Sequence, residues 1–244
     1  RDLTVDTAGF DQALEAQRSR SRAASRFEGD WSGDENASTE KTDFTGYEQL
    51  EDAATVTALF HEGEAVESLS AGAQGRVVLE KTPFYAESGG QAGDSGFLVS
   101  GDGQSARFEV ADCRKQGKVH LHVGEMLSGT LSIDSTVDAE VDGGVRTATA
   151  LNHSATHLVH AALRTVLGEH VTQQGSLVNS QRLRFDFSHP EAMSDKQIRA
   201  VEKLVNDEIR TNSRIETELL NMEEAKAKGA MALFGEKYGV VVRV

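Results

Sequence analysis

The hydrophobic period of this 244-residue chain changes near Gly144, and that change dictates an architecture in two parts. Between residues 45 and 144 apolar side chains fall in short alternating runs: TVTALFH from Thr55, RVVLE from Arg76, ARFEVADC from Ala106, VHLHV from Val119, TLSI from Thr130 and TVDAEV from Thr136. Alternation at period two marks strands with one buried face, and Gly-rich turns separate the runs. Strands this short and evenly spaced predict a small β-barrel or closed sheet.

Beyond Gly144 the period lengthens. Ala155, Leu158, Val159, Ala162, Leu163, Val166 and Leu167 recur at three- and four-residue steps, predicting an amphipathic helix over 146–167 that ends near Gly168. Asn152 is a candidate N-cap, which would put His153 in a first turn. A hairpin built from GSLVN and RLRFDFS follows, then a helix from Ser194 to about Thr211. Ser194 and Gln197 match a capping box, and Ile198, Val201, Leu204, Val205 and Ile209 form the expected buried face. A strand at 215–220 and a short helix over 223–228, stopped by Gly229, complete this half. The fold class is α+β: a small β-barrel followed by helices packed on an antiparallel sheet. The expected domains are 1–44, a charged helix over 9–27 and an acidic connection tacked down by Trp31; 45–145, the barrel; and 146–244, the α+β unit.

Charge narrows the partners. The formal net charge is −14, which argues against broad nucleic-acid binding, but the two halves differ. Residues 1–144 carry 12 basic and 27 acidic side chains, a balance of −15, and residues 145–244 carry 13 and 12, a balance of +1. Phosphate contacts need Lys and Arg, so any RNA contact is expected in the second half, with Arg146, Arg164, Arg182, Arg184, Arg199, Arg210 and Arg214 as available cations. The single Cys113 excludes an internal disulfide and suits a reducing cytoplasm. No apolar run approaches the roughly 18 residues of a membrane helix, so the expectation is a soluble, cytoplasmic protein with no membrane partner. The chain opens on Arg1 and stops on Val-Val-Val-Arg-Val, which leads us to expect a piece of a larger protein.

Chemistry concentrates in the long helix. His153 and His157 are four residues apart, so both imidazoles lie on one face and can share a metal ion. The alternative is that both histidines merely flank the packed stripe. The pattern argues against a zinc protease, because Ser154 stands where its general-base Glu would follow the first His. His120 and His122, two apart on a strand, also share a face, and His160 lies one turn beyond His157; for His160 a core role is the better reading.

Three stretches in the same order resemble the editing region of the bacterial alanyl-tRNA synthetase family: TPFYAESGGQAGDSG from Thr82 to Gly96, the run from Leu151 to His189, and EAKAKGAMALFGEKY from Glu224 to Tyr238. The resemblance extends from about Gly9 to the end of the chain. It implies a barrel followed by the α+β domain shared by threonyl- and alanyl-tRNA synthetase editing regions. It also implies hydrolysis of the ester that joins a wrong amino acid, serine or glycine, to the acceptor end of tRNA(Ala), with no role for DNA. In that family His153 and His157 correspond to zinc ligands completed by a later Cys-x-x-x-His pair. This sequence lacks that pair, so a zinc site here is expected to be incomplete and this stretch alone weakly active or inactive. Gln173 matches a glutamine the family uses in editing, which otherwise caps a strand. Thr156 either meets the hydroxyl of a serine substrate or back-bonds to the helix. Gly89, Gly90 and Gln91 form a loop able to approach a nucleotide, and equally a strand-connecting turn. Asp186 is a candidate to orient a ligating imidazole. ATP and magnesium belong to the family's aminoacylation part, which this chain does not resemble. Two further readings remain: a free-standing deacylase of the same superfamily, and a non-catalytic module that positions tRNA.

Overall fold

The structure is a computed structural model that describes residues 6, 7, 9, 10, 12–16, 41–100, 106–230 and 241–244. Most of the expected 9–27 helix, the connection with Trp31 and residues 231–240 lie outside the described residues.

Six strands close a barrel in the first unit, with shorter strands such as Thr130–Ser132 beside it: β1 (Glu51–His61), β2 (Gln74–Leu79), β3 (Gly96–Ser100), β4 (Arg107–Gln116), β5 (Val119–Ser128) and β6 (Thr136–Val141). Neighbouring strands run antiparallel in the order β6-β3-β4-β5-β2-β1, and β6 pairs back onto β1, which closes the barrel. Closure removes the unpaired edges that an open sheet would leave. The inward residues of the alternating runs, among them Val56, Leu59, Val77, Leu98, Phe108, Val110, Met126 and Val137, pack into one core. His122 is the exception in kind. It is fully buried there, with Thr82 Oγ1 at 2.8 Å from Nε2 and Val77 O at 2.9 Å from Nδ1. Burial pushes its pKa down to about 4. Both nitrogens are engaged, so His122 is a satisfied core histidine.

Helix α1 (Gly143–Leu167) opens the second unit. Its N-cap is Asp142, whose Oδ1 accepts from Val145 N at 3.0 Å, so Asn152 lies in mid-helix. Instead of capping, Asn152 Nδ2 donates to Asn179 O at 2.8 Å and ties α1 to the hairpin β7 (Gln173–Val178) and β8 (Leu183–Phe187). Helix α2 (Asp195–Thr211) has the full Ser194–Gln197 capping box. Val201, Leu204 and Val205 join Ala162, Leu163, Val171, Phe185 and Phe187 in a second core. Ile198 and Ile209 depart from expectation at 41% and 53% exposed, because α1 covers only the centre of the α2 stripe. The expected strand at 215–220 shortens to β9 (Leu219–Asn221), which pairs with β10 (Val241–Arg243), and Ile215 is exposed. Helix α3 (Met222–Ala227) follows, with Asn221 and Glu224 forming a second capping box. Among the described residues no helix is long and apolar enough to cross a membrane.

Arg146 joins the two units. From the first turn of α1 its Nε donates to both Asp94 carboxylate oxygens at 2.9 and 3.0 Å, Nη1 to Gly46 O at 2.7 Å, and Nη2 to Pro83 O at 2.8 Å and to Asp94. Asp94 also accepts from Tyr85 N at 2.7 Å. Arg146 is therefore a seam residue and not a free RNA cation. Arg164 likewise serves the backbone, donating to Glu169 O and Val171 O beyond the end of α1.

Candidate functional site

The site forms where a barrel turn meets α1 and the hairpin. Residues Ser88 to Gln91 make a tight turn, with Ser88 N donating to Gln91 O at 3.2 Å and Gln91 N to Ser88 O at 3.0 Å. Gly89 and Gly90 have φ of +59° and +85°, the left-handed values that both central residues of a type I′ turn need. Gly90 also has to be small, since a Cβ there would lie 2.4 Å from Ser176 Oγ. The turn docks on β7 by main-chain bonds, Val178 N to Gly90 O at 2.8 Å and Ala92 N to Val178 O at 2.9 Å. The loop is a tight turn, and what approaches it closely is the hairpin.

Docking brings Gln91 to α1. Its Oε1 lies 2.6 Å from Nδ1 of His153, so that Nδ1 carries the proton and the Nε2 lone pair is left free. The rings of His153 and His157 stack at 5.1 Å between centroids and 19° between planes, on the exposed side of the helix. Burial, and secondarily the charge of His157, lower the His153 pKa below its usual value and favour the neutral imidazole. A neutral histidine whose second nitrogen is held by an amide oxygen is what a metal ligand requires. The pair thus fits zinc as two ligands of a set, and no group of three or more His, Cys, Asp and Glu able to hold a metal occurs among the described residues.

The other candidates divide. Gln173 starts β7 in register with Phe187, while Ser176 pairs with Phe185, and a bulge between Gln173 and Gly175 separates them. Three residues apart on a regular strand would face opposite ways, so the bulge puts Gln173 on the same face as Ser176, whose hydroxyl reaches Gly89 O at 3.4 Å. Half-buried, Gln173 has no side-chain partner among the described residues. Thr156 is buried and its hydroxyl donates to Asn152 O at 2.8 Å, the back-bonding alternative. Asp186 does not reach the imidazoles. It lies on the opposite face of β8 from Phe185 and Phe187 and pairs with Arg184 at 3.1 Å. His160 is buried against Phe185 at 5.1 Å, and His120 binds Phe84 O at 3.1 Å. Cys113 is buried in the barrel core, which raises its thiol pKa well above the ordinary value. No sequence signal announced Ser176 or the Asp94–Arg146 seam, since both depend on which loop meets which helix.

The family model for tRNA synthetases class II (A) matches residues 1–145, the stretch that ends with the barrel. Across its whole length the chain is 57% identical to the alanine–tRNA ligase of Pseudomonas entomophila (strain L48), and covers 28% of that protein. It is 55% identical over 245 aligned residues to the alanine–tRNA ligase of Saccharophagus degradans, covering 27% of it, and 55% identical to that of Pseudomonas fluorescens, covering 28%. The chain spans little more than a quarter of the length of the relatives it matches. With its barrel inside the family match and its α+β half carried by the same full-length alignments, the chain belongs to the class II (A) tRNA synthetases, in the part represented in bacterial alanine–tRNA ligases.

Proposed function

We propose that this chain is the editing region of an alanine–tRNA ligase and that it hydrolyses the ester of tRNA(Ala) wrongly carrying serine or glycine. The observation that carries the proposal is the 2.6 Å bond from His153 to Gln91, which leaves a metal-competent nitrogen beside a second imidazole on an exposed face. His153 and His157 would hold zinc, together with the Cys-x-x-x-His pair that the family supplies and this sequence does not contain. Bound there, zinc supplies a Lewis acid able to orient an ester or to lower the pKa of a water.

The chain's own residues supply the rest. Gln173, on the same hairpin face as Ser176, donates its amide N–H to the ester carbonyl and stabilises the charge that develops there. Thr156 keeps an acceptor lone pair after donating to Asn152, and that lone pair offers a serine hydroxyl a partner. Alanine has no hydroxyl to meet it, which gives a hydrogen-bonding site its basis for discrimination. We assign attachment of alanine to tRNA, with ATP and magnesium, to parts of the ligase outside this chain.

The test is serine release from seryl-tRNA(Ala) by an alanine–tRNA ligase carrying this sequence. Gln173→Ala is expected to slow hydrolysis about 100-fold or more, the effect of losing one oxyanion donor, with aminoacylation and folding unchanged. Wild-type hydrolysis by the variant would return Gln173 to a structural role, and no hydrolysis by the unmodified ligase would favour a module that only positions tRNA.

A further inference from the structure

A cavity of about 620 Å³ opens beside the Ser88–Gln91 turn and takes no part in the chemistry above. One wall is aromatic. Phe44 meets Tyr47 edge-on at 4.8 Å and Tyr85 at 6.1 Å between centroids, and Tyr47 is 61% exposed. The opposite character comes from lysines. Residues 41–144 contain four lysines, and three of them, Lys41, Lys115 and Lys118, line this cavity. Lys41 pairs with Asp43 at 2.9 Å, whereas Lys115 and Lys118, at the tip of the β4–β5 hairpin, have no ion pair among the described residues. Arg243 lies over the Tyr47 ring, 3.9 Å from its centroid, and brings another cation to the rim. An acidic half of the chain therefore gathers three of its four lysines at one aromatic-lined concavity.

We infer that this cavity holds the single-stranded RNA next to the esterified nucleotide, with a base against the Phe44–Tyr47–Tyr85 cluster and phosphates at Lys115 and Lys118. Aromatic rings accept any base by stacking, and cations alongside track the backbone; the two together are the marks of a single-strand site. A duplex keeps its base faces stacked inside, and an acidic peptide would leave the rings unused. Position supports the same occupant. Ser88 lines the cavity and is hydrogen-bonded both ways to Gln91, which holds His153, so one turn separates the cavity from the imidazole pair. A strand lying in the cavity delivers its end to that pair. This inference rests on the editing reading of the imidazole site, and it moves the expected RNA contact from the arginine-rich half to the barrel.

The experiment is fluorescence anisotropy with the 244-residue chain and a labelled single-stranded RNA heptamer ending in CCA. Tyr47→Ala is expected to weaken binding about five-fold or more, the low end for one stacked base. Lys115→Ala with Lys118→Ala is expected to make the slope of log affinity against log salt shallower by about 1.4, at about 0.7 per phosphate lost. All three side chains are exposed, so the variants should fold as wild type by circular dichroism, and Arg199→Ala with Arg214→Ala serves as a control with unchanged binding. Wild-type affinity and slope in both cavity variants, or equal affinity for the heptamer annealed into a duplex, overturns the inference. If the cavity variants bind normally while Gln173→Ala abolishes hydrolysis, the cavity fails and the editing reading stands. If they lose RNA while the unmodified ligase releases no serine, the cavity stands and the editing reading fails.

Discussion

Arg146→Ala should be the most damaging single substitution at the seam between barrel and α1. The guanidinium satisfies the Asp94 carboxylate and the carbonyls of Gly46 and Pro83, and no other residue among those described reaches all three. The Asp94 side chain is 3% exposed and the Arg146 side chain 18%, so removing the arginine strands the deeper charge. Breaking a buried pair in this way costs about 3–5 kcal/mol, against about 1.5–3 kcal/mol for losing hydrogen bonds to a charged group. In a chain of this size each kcal/mol lowers Tm by about 2–4 °C, so Arg146→Ala should melt about 6–20 °C below wild type. Asp94→Ala should cost less, because the guanidinium it leaves keeps two carbonyls and is partly in reach of water. Arg146→Leu with Asp94→Leu should recover part of the loss, since no charge is then buried alone. Thermal unfolding followed by circular dichroism measures all three. A loss below about 1 kcal/mol for Arg146→Ala, the range of an exposed pair, or a larger loss for Asp94→Ala, would refute this reasoning.

Three further outcomes can be checked. His122 is held neutral by burial, with its pKa at about 4 where the ordinary value is 6.5, so unfolding takes up a proton below that ordinary value. The associated stability is present above about pH 6.5 and is lost as pH falls toward 4, on the order of 3 kcal/mol in all; urea unfolding of His122→Gln at pH 7 and pH 4.5 should show a smaller drop between the two than wild type. Gly90→Ala should disturb the turn more than Gly89→Ala, because both have positive φ but only the Gly90 methyl meets Ser176, at 2.4 Å from Oγ, with open space at Gly89; serine release by the ligase should fall further in the former. Gln91→Ala frees the His153 tautomer, and zinc affinity of the ligase, read by competition with a chromophoric chelator, should fall about 10- to 100-fold.

Much of this fold was legible because period decides local structure. The runs from Thr55, Arg76, Ala106, Val119, Thr130 and Thr136 all became strands, and the Ser194–Gln197 capping box set the start of α2. Local signals failed where a partner decides. Asn152 has the chemistry of an N-cap, but Asp142 stands ten residues earlier where the barrel ends, and Asn152 was free to bridge to the hairpin. The site shows the same division. Helical spacing placed His153 and His157 together, since that geometry is local. Gln91 lies 62 residues from His153, and Gln173 shares a strand face with Ser176 through a one-residue bulge, neither of which an amphipathic pattern encodes. Charge counting does not tell an engaged cation from a free one: Arg146 is spent on the seam and Arg164 on backbone carbonyls beyond α1.

The most direct test of metal-assisted editing at the His153–His157 pair is serine release from seryl-tRNA(Ala) by an alanine–tRNA ligase carrying this sequence, timed before chelation, after removal of zinc, and after zinc is restored. Hydrolysis at that pair predicts a rate that collapses with the metal and returns with it in wild type, but does not return in His157→Ala. A rate indifferent to chelation, or full recovery in His157→Ala, would contradict it.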